Sequence, residues 1–318
     1  MNPFVPAMKL LRYPSKLAEL QEHGHVRTSP VCVEIAPTNK CNAKCPWCFY
    51  KRTNDDIDGD VLVGLMRELS DAGVRAITWT GGGEPSLHPA FEEATAEAQS
   101  VGLRQGLFTN AKPPSYSRTR LAHPERFEWI RVSVTESNRL PHLAGEYAEV
   151  TDTGVVFNLT SDNIDWLPGL ASQAAAMKMA YLQIRPALSR RIADQEKVKS
   201  AAYVEALVQT VAPSIPVIVT EYKWRDYLRQ HDYPVCYGHN ITPFVWWDGL
   251  LGVCGYRREP EYILGDLKDR TFQNVWDTRS ADKIHVDSEC QHCCKLHEIN
   301  KSLAIVMGDA ELTHKEFL

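Results

Sequence analysis

Between Val31 and Arg185, six short apolar runs alternate with stretches of helical spacing. The runs are Val31–Ala36, Ala76–Thr80, Leu103–Thr109, Trp129–Thr135, Val155–Thr160 and Tyr181–Arg185. Between them, Asp60–Ala72 sets Val61, Leu62, Leu65, Met66 and Leu69 on one helical face, and Ala90–Val101 and Trp166–Met179 read the same way. Strands alternating with helices of this length imply βαβ units and a parallel sheet. Six units are too few for a closed eight-stranded barrel. The predicted fold class is therefore α/β, a partial (β/α)6 TIM-like barrel over residues 31–195, preceded by an irregular lead-in over 1–30 with one helix at Pro14–His23.

The character changes after residue 190. Glu196–Val211 reads as a helix, broken by Pro213 and Pro216, in a linker over 196–233. Residues 234–318 read as a small cysteine-rich α+β domain. In it, Phe244–Trp247 and Leu250–Cys254 form a predicted hairpin turning at Asp248-Gly249. A short helix is expected at Thr271–Thr278 and a helical tail from Lys295 to Leu318.

The net charge of −5 over 318 residues offers no basic face, so neither nucleic acid nor an anionic membrane surface is an expected partner. There is no run of about 18 apolar residues to span a bilayer. The first twenty residues, broken by Pro3, Pro6 and Pro14, do not read as a secretion signal, and the expected location is cytoplasmic. Disulfides are seldom used there, so nine cysteines point to metal ligation or catalysis. Cys32, Cys41, Cys45 and Cys48 lie near the start, and Cys236, Cys254, Cys290, Cys293 and Cys294 near the end. Two separate sites are the simplest reading.

Cys41-Asn-Ala-Lys-Cys45-Pro-Trp-Cys48 spaces its thiols as C-x3-C-x2-C, in the loop leaving the C-terminal end of the first strand. Parallel α/β folds bind ligands at that end. Three thiolates on one loop can hold three irons of a cubane and leave the fourth open to a chelating ligand. Electron-transfer clusters take four cysteines, and structural zinc sites usually pair two C-x2-C turns. Directly after the second strand comes Thr80-Gly81-Gly82-Gly83-Glu84-Pro85. Consecutive glycines let a backbone pass close to a ligand, and Glu84 adds charge.

These two segments resemble the signatures of the radical S-adenosylmethionine (SAM) superfamily, C-x3-C-x-aromatic-C with Trp47 as the aromatic, and a "GGE" motif. The resemblance implies a 4Fe–4S cluster on Cys41, Cys45 and Cys48, and S-adenosyl-L-methionine chelating its open iron. Reduction by a flavodoxin- or ferredoxin-type donor then cleaves the sulfonium to methionine and a 5′-deoxyadenosyl radical. It also implies cofactor contacts at Trp47, Gly81, Gly82, Gly83, Glu84, Thr109, Asn110 and Ser133, with Asn158 and Arg185 at the barrel mouth. An arginine inside a barrel needs an anionic partner.

Cys236, Gly249, Cys254 and Cys290-x2-Cys293, with Leu264-Gly265-Asp266-Leu267 and Val275-Trp276-Asp277, resemble the start of a SPASM domain. A full SPASM domain needs three further cysteines, and only Cys294 follows. The resemblance is therefore to the truncated Twitch form, which implies one auxiliary 4Fe–4S cluster on Cys236, Cys254, Cys290 and Cys293. A structural zinc on the same thiols is the alternative. Either Cys293 or Cys294 can be the ligand. The other is a spare thiol, an inert buried group or a hydrogen-atom donor to a substrate radical. Cys32 reads as core.

The reaction implied is hydrogen abstraction from a small-molecule substrate, a sugar or aminocyclitol-like natural-product intermediate, ending in oxidation (dehydrogenation) or epimerisation, as in aminoglycoside-pathway enzymes of this type. A maturase or epimerase acting on a ribosomal peptide is the second reading. Such enzymes often carry a peptide-binding wing ahead of the cluster loop, longer than the stretch before Cys41. A non-catalytic iron–sulfur or zinc protein is the third, and the open iron argues against it. The space between the two sites is expected to draw on Trp79, His88, Phe108, Arg185, Trp246, Trp247, Tyr256 and Arg257, with His88 and Tyr256 read as structural.

Overall fold

Residues Val33, Ile35, Ile77 and Trp79 are fully buried, while their alternate neighbours Cys32, Glu34, Ala76 and Thr78 are half-buried. That parity is the two-residue repeat of a strand with helices on one side and a cavity on the other. A computed structural model describes residues 6–112, 121–135, 137–160, 162–187, 215–220, 231–280, 284–286, 290 and 294–310.

The six expected strands are β1 (Cys32–Ile35), β2 (Ala76–Trp79), β3 (Arg104–Thr109), β4 (Trp129–Ser133), β5 (Asp152–Leu159) and β6 (Leu182–Pro186). They pair in parallel and in sequence order. A seventh, β7 (Val217–Val219), adds in parallel to β6. Three half-buried residues carry no periodicity to read, so sequence did not reveal it.

The predicted hairpin forms as β8 (Phe244–Val245) and β9 (Leu250–Gly252), with Gly249 at φ 82° in its turn. A further strand, β10 (Ile263–Asp266), pairs antiparallel with β9. The hairpin does not stand apart, because β8 runs parallel to β1 and extends the sheet to the order β10-β9-β8-β1-β2-β3-β4-β5-β6-β7.

Helices cover the outer face. The first, α1 (Pro6–Leu10), and α2 (Pro14–His23) precede the barrel. In α3 (Gly59–Asp71), the Asp58 carboxylate caps the N–H groups of Asp60 and Val61, and Leu62, Leu65, Met66 and Leu69 are buried. Next come α4 (Phe91–Ser100), α5 (His142–Ala148) and α6 (Leu167–Ala176). Sequence reading missed α5, whose seven residues span too few turns to show a helical period. These stripes and the sheet's outer face form one large core. At about 1.5–3 kcal/mol for each large apolar side chain buried, the outer face carries the stability. The inner face is left free for polar side chains.

Two glycines shape that inner face. A Cβ on Gly106 would stand 2.1 Å from the Trp129 ring, and one on Gly154 would stand 2.2 Å from the Tyr181 ring. The two rings therefore lie against the strands, and Trp129 lines the cavity.

At the other end, α7 (Phe272–Thr278) packs on α3, its Phe272 N–H donating to Glu68 Oε2 at 2.6 Å. The helix α8 (His297–Met307) packs with α1 and α2 around Leu20, Tyr237, Ile241 and Leu303, beside the C-terminal cysteines. The helix expected at Glu196–Val211, most of the linker, Cys293 and the tail beyond residue 310 lie outside the described residues. Among the described residues, no helix is long and apolar enough to cross a membrane.

Candidate active site

The cysteine loop and the glycine loop hold each other. Glu84 N–H donates to the Lys40 carbonyl at 2.8 Å, and Cys48 N–H to the Cys45 carbonyl at 3.0 Å. Arg52 donates to the Gly82 carbonyl and, at 3.3 Å, to Cys48 Sγ. No larger residue fits the glycine run. An added Cβ would stand 1.8 Å from the Gly83 carbonyl oxygen at Gly81, 2.1 Å from the Trp247 ring at Gly82 and 2.0 Å from the Lys40 carbonyl oxygen at Gly83.

Glu84 is buried and its carboxylate is occupied. It accepts from Thr109 Oγ1 at 2.7 Å, Asn110 N–H at 2.7 Å and Ser86 Oγ at 2.9 Å. Burial pushes this carboxyl above its ordinary range, and those donors oppose the shift. Within this structure, Glu84 ties the glycine loop to the end of β3.

Asn110 continues the link, its Nδ2 donating to Asn42 Oδ1 at 2.8 Å and pointing at Cys41 Sγ at 3.8 Å. Ala43 N–H points at the same sulfur at 3.4 Å. Burial pushes the Cys41 thiol up, and the Ala43 N–H and the Arg52 charge work against it. N–H donors and a guanidinium aimed at sulfur favour the thiolates that iron requires.

The three thiols open on a cavity of about 480 Å3. Trp47, Gly81, Gly82, Gly83, Glu84, Thr109, Asn110, Ser133, Asn158 and Arg185 line it with them, so every residue expected to touch the cofactor faces one space. Arg185 Nε donates to Asn158 Oδ1 at 2.7 Å.

Of the residues expected between the two sites, Phe108, Arg185 and Tyr256 line the cavity. Trp79 does not, because strand parity gives the inner face to Thr78 and Thr80. Its indole donates to Gln105 Oε1 at 2.8 Å within the core. His88 is structural, with Nε2 at 2.7 Å from the Ile57 carbonyl oxygen and Nδ1 accepting from Ala90 N–H at 3.1 Å. Trp246 and Trp247 pack with Ala36 and Phe244, and Arg257 stacks on Tyr262 at 4.1 Å.

Sequence reading missed Glu34, Arg131 and Lys295, which also line the cavity. Glu34 and Lys295 form an ion pair. Strand parity was the available signal, since Arg131 shares a face with Ser133 two positions on.

The C-terminal thiols gather elsewhere. Cys236, Cys254 and Cys294 pack in one cluster with Val253, Tyr262 and Leu296. Burial pushes Cys236 up to about 11 and Cys254 up to about 12, with Cys290 adding to both shifts. Cys294 is raised by burial and then by the nearby Cys236 and Cys254. Asn300 Nδ2 faces Cys236 Sγ at 3.5 Å and Arg257 Nη1 faces Cys290 Sγ at 3.3 Å. Cys294 does not line the cavity described above.

Among the described residues, no three His, Cys, Asp or Glu side chains close around one point as a single ion demands. A cubane takes each thiolate on a different iron and spaces them more widely than a tetrahedral zinc does. In both thiol groups, donors are turned toward the sulfurs.

Residues 35–170 match the family model of the Radical SAM superfamily. Two curated relatives match shorter segments. The tungsten-containing aldehyde ferredoxin oxidoreductase cofactor-modifying protein of Pyrococcus furiosus is 30% identical over 77 residues, 23% of this chain and 22% of that protein. The probable GTP 3′,8-cyclase of Methanothermobacter marburgensis is 28% identical over 88 residues, 27% of this chain and 28% of that protein. The matched segments thus span about a quarter of these relatives.

Among solved structures, Streptococcus suis SuiB bound to S-adenosylmethionine superposes with a TM-score of 0.60 at 15% identity, covering 85% of this chain and 71% of that one. The anSMEcpe enzyme with bound AdoMet and Cp18Cys peptide gives 0.57 at 15% identity, over 90% of this chain and 85% of that one. At these identities the likeness is one of fold. The segment that matches the Radical SAM superfamily model, residues 35–170, carries the cysteine loop and the glycine loop, and the fold of the chain is like that of these structures.

Proposed function

We propose that this protein is a radical SAM oxidoreductase that dehydrogenates a small hydroxyl-bearing molecule of sugar type. In this reading a second 4Fe–4S cluster sits on Cys236, Cys254, Cys290 and one of the adjacent Cys293 and Cys294. The carrying observation is that Tyr256, two residues after Cys254, and Lys295 and Leu296, directly after Cys294, line the same cavity as Cys41, Cys45 and Cys48. The segments bearing the second thiol group therefore wall the space in which the first acts.

When bound, the cofactor and first cluster would supply hydrogen-atom abstraction, and the second cluster would supply an electron acceptor. Dehydrogenation of an alcohol carbon would remove one hydrogen atom, one electron and the hydroxyl proton, for which the cofactor, the second cluster and solvent would be the respective acceptors. The residues of the chain bind and orient. Gly81 to Gly83 bring backbone against the cofactor, Glu84 and Asn110 hold that loop against the cysteine loop, and Asn158 fixes Arg185 at the mouth. Trp47, Phe108 and Tyr256 exclude water from the radical path.

A volume of about 480 Å3 falls in the small-ligand range. It must also admit the cofactor, which favours a small substrate over a peptide. Epimerisation needs a hydrogen donor facing the substrate; of the two adjacent cysteines, Cys294 does not line the cavity, and Cys293 lies outside the described residues.

The test is anaerobic reconstitution, with dithionite in place of a flavodoxin- or ferredoxin-type donor. Two cubanes predict about eight irons per chain, together with 5′-deoxyadenosine formation. No 5′-deoxyadenosine from an iron-loaded sample overturns the proposal. Solvent deuterium retained at a substrate carbon replaces dehydrogenation by epimerisation.

A further inference from the structure

We propose that Tyr50, two residues beyond Cys48, is a positioning residue for Cys254: it holds the peptide group whose N–H faces the Cys254 sulfur, and so joins the first cysteine loop to the second thiol group. This rests on the reading above, in which Cys254 is a ligand of the electron-accepting cluster. It deepens that reading by naming a residue that tunes the acceptor.

The Tyr50 hydroxyl donates to the Gly255 carbonyl at 2.7 Å, across 205 positions of chain. That carbonyl shares one planar trans peptide unit with the N–H of Tyr256, so the two point in opposite directions. The N–H groups of Tyr256 and Arg257 are directed at Cys254 Sγ. A hydroxyl that grips the oxygen of this unit therefore fixes the aim of its N–H at the sulfur. Cys41 has the same local arrangement, its sulfur facing the N–H of Ala43, two residues on, at 3.4 Å.

The Tyr50 ring is packed so that its hydroxyl has one direction to point. It stands edge-on to Trp247 at 5.6 Å and to Trp246 at 6.3 Å, both buried, and lies 4.1 Å from the Phe49 ring. Phe49 meets Tyr256 edge-on at 5.3 Å. Two adjacent residues of the first loop thus touch two adjacent residues of the second. The Cys254 turn has little room to move away, since a Cβ on Gly255 would stand 2.7 Å from the Phe244 ring. On the same segment as Tyr50, Arg52 donates to Cys48 Sγ and to the Gly82 carbonyl.

Hydrogen bonds to cluster sulfurs favour the reduced, more negative state and raise its potential. An acceptor of substrate electrons needs that potential held up. The hydroxyl supplies the orientation and the ring supplies only packing, so the two roles can be separated.

The test uses full-length reconstituted protein. Tyr50→Phe removes the hydroxyl and keeps the ring. The control is Tyr147→Phe on α5, which removes a buried hydroxyl that accepts the Leu121 N–H at 3.5 Å in the main core, away from both thiol groups. Amide hydrogen exchange is followed by peptide mass spectrometry. Dithionite titrations are followed by electron paramagnetic resonance in a Cys41→Ala background, so that the second cluster gives the one signal read. Tyr50→Phe should speed exchange in residues 254–257 about tenfold. It should also move the reduction equilibrium about threefold to tenfold toward the oxidised form, tenfold being about 59 mV for one electron. Tyr147→Phe should do neither.

Unchanged exchange in Tyr50→Phe overturns the inference. So does faster exchange with an unchanged potential, which makes Tyr50 a packing residue alone. An equal shift of potential in Tyr147→Phe overturns it as well. A wild-type protein with about four irons and no second-cluster signal overturns the two-cluster reading instead. The exchange comparison then decides by itself whether Tyr50 orders the Cys254 turn.

Discussion

Glu84 accepts the backbone N–H of Asn110 at 2.7 Å, and that bond joins the glycine loop after β2 to the end of β3. Asn110 in turn reaches Asn42 on the cysteine loop at 2.8 Å. Three loops from three strand ends are thus fastened around one carboxylate.

Replacing that carboxylate tests the fastening. Glu84→Ala leaves the Asn110 N–H and the Thr109 hydroxyl buried without an acceptor, at about 1–3 kcal/mol each. Urea unfolding of the apoprotein should show the loss, and SAM affinity of the reconstituted protein should fall about tenfold or more. A variant with wild-type stability and affinity would refute the assignment.

Glycine substitutions should separate crowding from propensity. Gly83→Ala drives a methyl into the Lys40 carbonyl oxygen at 2.0 Å, an overpacking worth about 1–3 kcal/mol, and should lower the iron bound by the adjoining cysteine loop. Gly64, on α3, has nothing within 4 Å of an added Cβ. Gly64→Ala should raise stability by about 0.5–1 kcal/mol and leave iron content alone.

Under the two-cluster proposal, cysteine variants should divide the iron in two. Cys41→Ala and Cys254→Ala should each leave about four irons, with the electron paramagnetic resonance signals of the complementary cluster. Only Cys41→Ala should lose SAM-dependent perturbation of the spectrum. Cys294 sits beside Cys236 and Cys254, so Cys294→Ala should resemble Cys254→Ala, and Cys293→Ala should not. The reverse pattern would make Cys293 the fourth ligand.

His88 should impose a pH dependence on stability. Burial lowers its pKa below the ordinary 6.5. Its Nδ1 accepts the Ala90 N–H at 3.1 Å, so a second ring proton would face a donor. A lowered folded pKa means that the unfolded chain binds the proton first. The contribution of His88 is therefore complete above about pH 6.5 and is lost as pH falls below it. Denaturation midpoints of the apoprotein between pH 7.5 and 5 should fall more steeply with acid than those of His88→Asn, by about one proton's slope at most.

The sequence carried more of this protein's chemistry than of its architecture. The thiol spacing of Cys41, Cys45 and Cys48 and the run Gly81 to Glu84 were readable because each constellation is contiguous, set by the reach of one loop. The six strands were readable for the same reason, since apolar alternation is a local property. Trp79 was misjudged because an aromatic at a strand end gives no sign of its face until the parity of its neighbours is known. The Glu84 carboxylate read as a charge offered to a ligand, and its donors on Ser86, Thr109 and Asn110 became visible only with the loops folded.

By itself, then, the sequence determined the radical SAM signature, the parallel sheet and the separation of the cysteines into two groups. Tertiary structure alone decided that the C-terminal hairpin joins β1, that Lys295 reaches Glu34 across 261 positions of chain, and that Arg131 is stacked on Trp129 where Gly106 leaves room for the ring. The reason is physical. Ligand spacing and periodicity are written along neighbouring residues, whereas a cavity is made by side chains from distant strands whose facing depends on register. No stretch of sequence contains that register, because it is set by the pairing of one strand with the next.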